Sequence, residues 1–527
     1  MTNAHLHIPD YIILFVFLFI TVYFGFRFSK NQNSTQKYFA ANGKIPSWAI
    51  GLSILATLIS SITFLAYPGE GYSSNWILLV QGLMVPVVLL TMIWFIVPLY
   101  RKVIGLSTYE YFEKRFGLFA RYYTSVGFVL THFSKMGTVF FLLALALANM
   151  TGVNTIIIIS IIGTVIIILA LMGGIEAVIW LDVIQGFMLF GCGVVCLIII
   201  LYSVHGGPAE VWHIASTNGR TGFGPYDFDF KKLTFVVMAI NGIFYGIQKY
   251  GTDQTIVQRY LTAKSDRSAI RASLMGVFLL VPVWALFMFI GTALFVYYKQ
   301  NPLPHGMRPD AIFPYFIVSK IPTGVVGLIV ASLVSAAICS LGADLNCLAA
   351  VGVEDYYKKL YPNRLDKEYL KAGRWIVVFA GIGSLLIAAL YLSAGDEGVL
   401  GIVFTLYAIF SGGIAGIFLL GLFSSRANKQ GVTIGIIACI LFTAYAFLTS
   451  TKIGHGQRSI VDFGRYNFSD NKLMLGVYSH FVVIGVGFTA SLFFPKPHLD
   501  ENLTFAGWLK LKRQKKTAAN RTAADDN

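Results

Sequence analysis

The sequence is short of charge. Asp, Glu, Lys and Arg make up 12% of its 527 residues, about half of the ~25% usual in soluble domains. The length would allow several soluble domains, but no hydrophilic stretch is long enough to house one. Acidic residues are the scarcer kind, 25 against 40 basic ones, for a net charge of +15. The basic residues fall in short loops between apolar runs and in the tail KLKRQKKTAANR. Charge so placed reports orientation in a membrane and excludes a nucleic-acid partner. Cysteine is sparse as well. Cys192, Cys196, Cys339, Cys347 and Cys439 all lie in or at the ends of apolar segments. Their spacing excludes a disulfide framework and a zinc site. No phosphate-binding loop, nucleophile motif or metal cluster is present, and no enzyme is expected. The N-terminus MTNAHLHIPD lacks a basic residue, and the first apolar run, Tyr11 to Phe28, lacks a small-residue cleavage pattern. That run is a retained helix, not a signal peptide.

What is present is apolar length. Hydrophobic residues are 56% of the chain and the mean hydropathy is +0.70, which makes it an all-α polytopic membrane protein. At ~20 apolar residues per span, the chain holds about thirteen helices. They begin near positions 9, 47, 75, 120, 153, 177, 233, 269, 323, 372, 398, 429 and 473. Alternate loops are basic: Arg27 to Lys44; Arg101, Lys102, Lys114, Arg115 and Arg121; Lys249, Arg259, Lys264, Arg267 and Arg271; Lys358 to Arg374; and the tail. The positive-inside rule then puts the N-terminus outside and the C-terminus in the cytoplasm, as an odd number of spans requires.

Two segments are built to break. WAIGLSILATLISSITFLAYPGEG, Trp48 to Gly71, is apolar but interrupted by small hydroxyl residues, a proline and glycines. FVVMAINGIFYGIQKYGTDQTIVQRY, Phe235 to Tyr260, carries Gly242, Gly246 and Gly251 among polar residues. Glycines also allow close helix packing. The two segments, however, open two sets of five spans, residues 45–204 and 233–423, and an odd set size inverts the second set. Matched broken helices in inverted halves mark a transporter's binding site. The remaining regions are 1–44, an additional helix and loop; 424–494, two additional helices; and 495–527, a basic cytoplasmic tail.

Several residues are candidates for chemistry. Ala336, Cys339 and Ser340 share one helical face of VVGLIVASLVSAAICSLGADLNCLAAV, by their i, i+3, i+4 spacing. The carbonyls of Ala56 and Ile59 come free if the first helix unwinds there. Three carbonyls and hydroxyls would suit sodium, a hard cation; the alternative is a packing face. Lys135 lies about fourteen residues, or ~21 Å of helix, beyond Arg121. An ammonium that deep costs ~2.5–3.5 kcal/mol on insertion scales and faces a cavity, partner or substrate. His132 is one turn earlier on the same face. Asp182 is either functional or a carboxylate at the cytoplasmic mouth. Glu110, Glu113, Lys114, Arg115 and Arg121 read as a solvated connector face. Asp253 and Arg259 read as a gating ion pair or as helix-end anchors. The loop GGPAEVWHIASTNGRTGFGPYDFDF is an external lid candidate.

The motifs YFAANGKIPSW, LSILATLISSITFLAYPG, GGIEAVIWLDVIQ, GTDQTIVQRYLTA and SAAICSLGADLNCLAAV, spread from Tyr38 to about Phe423, together resemble the sodium:solute symporter family. That family includes sodium/glucose cotransporters and bacterial sialic-acid transporters. The resemblance implies a LeuT-type 5+5 inverted-repeat core, alternating access and a sodium site at Ala56, Ile59, Ala336, Cys339 and Ser340. Cys339 stands where the family usually has Ser or Thr, and a thiol is a softer partner for sodium. Some members bind a second sodium through two serines and the acid of a W-x-D motif. Here Asp182 is kept, but Gly342 and Ala343 replace the serines, so one sodium is expected. In the sialic-acid transporters an Arg in an R-M-G triplet binds the substrate carboxylate. Here the triplet is Lys135-Met136-Gly137, with Ser60, Thr63 and Gln81 as further substrate contacts and Tyr245 and Gln248 as coupling or gating candidates alongside Asp182.

The expectation is therefore a symporter of the bacterial plasma membrane that imports an acidic sugar or another organic anion with sodium, bound to lipid and working as a monomer. A neutral-sugar symporter is the first alternative, and an uncoupled channel or solute sensor on the same fold is the second.

Overall fold

The computed structural model describes residues 6–29, 32–303, 306–393, 408–453 and 458–514. The described residues are helical apart from short connections and a two-residue antiparallel pair, Lys452–Ile453 with Arg458–Ser459. The principal helices are α1 Ile8–Ser29, α2 Ser47–Leu58, α3 Tyr67–Ser73, α4 Leu79–Val103, α5 Glu110–Phe116, α6 Leu118–Thr151, α7 Thr155–Ser203 and α8 Gly207–Thr217. They continue with α9 Phe235–Gly251, α10 Gln254–Thr262, α11 Asp266–Gln300, α12 Pro309–Lys320, α13 Val325–Val351, α14 Asp366–Ser393, α15 Ile414–Phe423, α16 Lys429–Ser450 and α17 Lys472–Ser491. Among the described residues, nine helices are long and apolar enough to cross a membrane, or ten when the bent pair α2–α3 counts as one. Every span start read from the sequence has its helix, except the one near 398, which lies outside the described residues.

Local chemistry sets the helix starts. Asn154, Thr234, Ser265, Asn428 and Asn471 each accept a hydrogen bond from a first-turn backbone N–H, satisfying a donor that would otherwise be orphaned. Inside α7, Gly174 has φ 57°, and the helix divides there into spans 155–172 and 174–203. A Cβ at Gly174 would sit 2.8 Å from the Tyr38 carbonyl, and a left-handed φ is open to glycine without strain.

The helix packing is reciprocal. α2 packs on α11 while α4 packs on α9; α6 packs on α14 while α7 packs on α13. The opening helix of each half thus meets the second helix of the other, and the third of each half meets a later helix of the other. Small residues permit these contacts: a Cβ at Gly51 would lie 2.9 Å from the Ala272 carbonyl, and one at Gly276 2.9 Å from the Gly51 carbonyl. In α13 89% of the most apolar stretch is buried by protein, against 28% in α14. α13 is therefore the central span, and this explains its run of Ala, Ser, Cys and Gly: lipid-facing helices take bulky residues, whereas buried interfaces in membranes take small ones.

Both broken helices are present: the first breaks at Ile59, where the carbonyls of Ala56 and Ile59 were expected to come free, and the second directly after Gly251, while the other glycines and the proline lie away from the breaks. α2 stops at Leu58, Ile59 is extended at φ −101°, ψ 126°, and a π-helical turn, Ile62–Ala66, leads into α3 with a 59° bend. Pro68, Gly69 and Gly71 are not at the break. They let α3 approach its neighbours, a Cβ at Gly71 falling 2.2 Å from the Met288 carbonyl. In the second segment Gly242 and Gly246 are inside α9 and pack against Gln81 and Val88 of α4. The break is at Thr252 and Asp253, between α9 and α10.

Candidate functional site

A cavity of about 150 Å³ lies between the break in α2 and the last turns of α9, and the second break, Thr252 and Asp253, lines a smaller one beside it. The walls of the larger cavity come from the end of α2 and the π-turn (Ser60, Thr63), from α4 (Gln81), from α6 (Thr131, Lys135) and from α9 (Asn241, Tyr245, Gln248, Lys249). Leu473, Val477 and His480 of α17 close one side, and Trp284 of α11 another. The four substrate contacts expected from the sequence, Ser60, Thr63, Gln81 and Lys135, line this cavity together with Tyr245 and Gln248 of the coupling or gating candidates, whereas the third, Asp182, does not. The sequence reading missed Asn241, Lys249 and the whole contribution of α17. Gln81 Nε2 donates to Asn241 Oδ1 at 3.1 Å, so α4 and α9 are tied across the cavity wall.

The break in α2 is held by its own hydroxyls. Ser60 Oγ accepts from the Ile62 N–H at 3.2 Å, the Ser60 carbonyl accepts from the Phe64 N–H at 3.1 Å, and Ser61 Oγ donates to the Val139 carbonyl at 3.0 Å. The Ala56 carbonyl is not wholly free, because the Ile59 N–H reaches it at 3.3 Å. α13 packs against α2, with Ala336, Cys339 and Ser340 all buried. Ser340 Oγ has no hydrogen-bond partner among the described residues. A buried hydroxyl without a partner is costly, and a cation is one partner that would satisfy it. The Cys339 thiol donates instead to Gln185 Oε1 of α7.

Lys135 is paired. Its Nζ lies 2.9 and 3.1 Å from the two carboxylate oxygens of Asp344 on α13. Asp344 lies within the quoted small-residue helix, but sequence reading passed over it; an acid in the most buried span was the available signal. His132 sits in a smaller adjoining cavity, between Asp344 and Asp253.

Other charges depart from the sequence reading. Asp253 and Arg259 do not pair with each other. Asp253 accepts from Lys249 Nζ at 2.6 Å, and Arg259 donates to Asp182 Oδ2 at 3.0 Å. Asp182 is not at a watery mouth: it and Arg259 are both fully buried, with Ser53 Oγ donating to the same carboxylate at 2.5 Å. Arg115 and Arg121 are buried too, not on a solvated face. Arg115 donates to the carbonyls of Gly421, Ser424 and Ala427, and Arg121 binds Asp355 and Glu113. On the connector α5, burial alone would raise the Glu113 carboxyl, but bonds from Lys359 and Arg121 outweigh it and hold the group below its usual range. Lys249, Arg115, Arg121 and Arg259 are therefore not loop charges. The exposed Lys102, Lys114, Lys264, Arg267, Arg271, Lys359, Arg364, Lys367, Lys371 and Arg374 keep the loop asymmetry without them. All five cysteines are free and buried.

α8 and the loop after it cover the start of α4. Trp76 meets Phe223 edgewise and Trp212 at a tilt, its backbone N–H donates to the Gly222 carbonyl at 2.9 Å, and Arg220 donates to the Ser74 carbonyl at 3.0 Å.

Two inverted halves, each opened by a broken helix, with a cavity between them into which a few polar side chains converge, define a multi-pass secondary transporter. Comparison with known proteins names the class more closely. The sodium:solute symporter family pattern matches residues 38–439. The sodium/sialic acid symporter NanT of Aliivibrio fischeri (strain ATCC 700601 / ES114) is 33% identical over 499 residues, covering 93% of this chain and 95% of the relative. The sodium/sialic acid symporter SiaT of Proteus mirabilis (strain HI4320) is 34% identical over 499 residues, covering 93% and 96%. A solved structure of a substrate-bound, outward-open Na+-coupled sialic acid symporter superposes with a TM-score of 0.84 at 31% identity, covering 94% of this chain and all of that one. The closed form of the nucleobase-cation symporter Mhp1 shares the fold alone, at 16% identity and a TM-score of 0.60. The chain belongs to the sodium:solute symporter family, has its LeuT-type inverted-repeat fold and is a sodium-coupled symporter, not an enzyme.

Proposed function

We propose that this symporter imports an acidic sugar of the N-acetylneuraminate type. The observation that carries this reading is Lys135, an ammonium on the wall of the cavity between the broken helices, with the hydroxyls of Ser60 and Thr63 and the amide of Gln81 in the same walls. The two sialic acid symporters that match most of the chain support it. Lys135 would take the carboxylate as a point charge, where a guanidinium would take it bidentately.

Sodium would sit where α2 ends against α13, on the carbonyls of Ala56, Ile59 and Ala336 and on Ser340 Oγ, with Cys339 a weak fifth partner. The reading of one sodium per cycle is supported by Gly342 and Ala343, which bring no side-chain oxygen, and by Arg259 and Ser53, which occupy Asp182 Oδ2. The repeats would be residues 45–204 and 233–423, the N-terminus outside the cell and the C-terminus in the cytoplasm of a bacterium, with each monomer a working unit in the lipid. A neutral-sugar substrate is favoured by one observation, that Asp344 already neutralises Lys135.

Calorimetric titration of N-acetylneuraminate into the purified protein in saturating sodium separates the two. Lys135→Ala should weaken binding by about 10–150-fold, the equivalent of losing a hydrogen bond to a charged group at ~1.5–3 kcal/mol. Binding of N-acetylmannosamine, but not of N-acetylneuraminate, would select the neutral sugar.

A further inference from the structure

His132 bridges two carboxylates that come from different parts of the fold. Its Nδ1 lies 2.9 Å from Asp344 Oδ1 on α13, and its Nε2 lies 3.2 Å from Asp253 Oδ2 at the break between α9 and α10. A neutral imidazole has one N–H and one bare lone pair. Whichever tautomer it adopts, a lone pair would then face a carboxylate oxygen at hydrogen-bond distance. Both contacts are attractive only when one more proton is present in the bridge.

The neighbours place that proton on the ring. Asp344 Oδ1 also accepts from Lys135 Nζ at 3.1 Å, and its Oδ2 lies 2.9 Å from the same ammonium. Asp253 also accepts from Lys249 Nζ at 2.6 Å and from the Thr255 N–H and hydroxyl at 2.9 and 2.5 Å. Each carboxylate thus already faces an ammonium at ion-pair distance, Asp344 that of Lys135 and Asp253 that of Lys249, which leaves the ring as the place for the extra proton. The remaining titratable groups around the bridge are neutral hydrogen-bonding ones. Tyr109 lines the same small cavity, the Cys347 thiol on α13 donates to Gln258, Tyr391 of α14 shares a hydrogen bond with Ser134, and His480 of α17 lies on the wall of the large cavity.

The charge count gives the proton a use. Lys135 and Lys249 are balanced by Asp344 and Asp253, so without the proton the cluster is neutral. A carboxylate entering the cavity would then share Lys135 with Asp344, its balancing charge being the sodium proposed where α2 meets α13, and a buried charge so thinly compensated is expensive. With His132 doubly protonated the cluster carries one positive charge of its own beside the carboxylate. The small cavity at His132 shares Thr131 and Gln248 with the large one, so the two sites are separated by a single layer of side chains.

We propose that His132 is a proton-binding site linked to the substrate cavity, the carboxylate substrate binding together with a proton held on the ring between Asp344 and Asp253. The proton comes from water and returns to it when the site empties. The link to substrate rests on the acidic-sugar reading above; the second ring proton does not.

Two measurements on the full-length protein in saturating sodium test it. Nitrogen NMR of protein labelled at histidine, recorded across pH 5 to 9 and assigned by the signal lost in His132→Gln, should show an imidazolium at His132 wherever N-acetylneuraminate binds. The affinity for N-acetylneuraminate should fall by about tenfold per pH unit as that proton is removed, the slope for one linked proton, and His132→Gln should bind weakly with no such slope. If the variant does not fold, wild-type titrations in two buffers of different ionisation enthalpy replace it and should count about one proton taken up in the sloping range. A singly protonated ring throughout, or an affinity independent of pH, overturns the proposal. Absence of N-acetylneuraminate binding at every pH removes the acidic-sugar reading, while the ring signal still decides whether the proton site exists.

Discussion

At the scale of single residues, the buried charges were half legible in the sequence. Lys135 stood out because an ammonium so far from either interface demands a reason, and the cavity and Asp344 supply it. Partner choice was not legible. Asp253 and Arg259 are six residues apart and looked like a pair, yet each finds its counter-charge on another helix, because the break at Thr252 turns Asp253 toward His132 and Lys249. Arg115 and Arg121 looked solvated because a charged run at a membrane surface usually is, whereas here backbone carbonyls and Asp355 enclose them. The Asp182–Arg259 pair gives a stability prediction. Arg259→Ala should lower stability by about 3–5 kcal/mol, read as a fall in the thermal midpoint in detergent, since it strands a buried carboxylate. Adding Asp182→Asn should recover part of the loss. Cys339 gives a prediction for coupling. Cys339→Ser would put a hard oxygen where the proposed sodium site has a thiol, and the sodium concentration for half-maximal uptake should fall by about fivefold, the equivalent of ~1 kcal/mol.

At the scale of elements, hydropathy located the spans, because twenty apolar residues in a row have few other uses. It did not locate the breaks. Gly242 and Gly246 marked α9 as unusual, but their absent side chains serve the contact with α4 rather than an unwound turn. The first break, at Ile59, is held by the hydroxyls of Ser60 and Ser61, which the sequence displays, and the second, at Thr252 and Asp253, by contacts that it does not. The Tyr100 hydroxyl donates to the Gly251 carbonyl and the Tyr260 hydroxyl to the Tyr250 carbonyl at 2.9 Å. A contrast between two glycines checks the packing account. Gly71→Ala would set a Cβ against the Met288 carbonyl and should cost about 1–3 kcal/mol of stability by forcing α3 from α11. Gly342→Ala meets nothing within 4 Å and should be neutral or stabilising by up to ~1 kcal/mol. Thermal unfolding of the two variants beside wild type measures both.

At the scale of the whole molecule, the inverted architecture was legible from the matched order of spans, and the reciprocal packing of α2 on α11 and α4 on α9 is its physical form. The wall that α17 adds to the cavity was not legible, because a helix outside the two sets carries no positional signal of that role. Alternating access on this architecture requires that sodium bind the two states unequally, since a ligand shifts an equilibrium only by its differential affinity. The central claim is that the cavity between the broken helices loads an acidic sugar with sodium and moves both together. Its most direct test is the uptake of labelled N-acetylneuraminate into proteoliposomes, with an inward sodium gradient and with sodium equal on both sides. Internal solute should rise above the external concentration under the gradient alone. Solute that only equilibrates under both conditions would contradict the account.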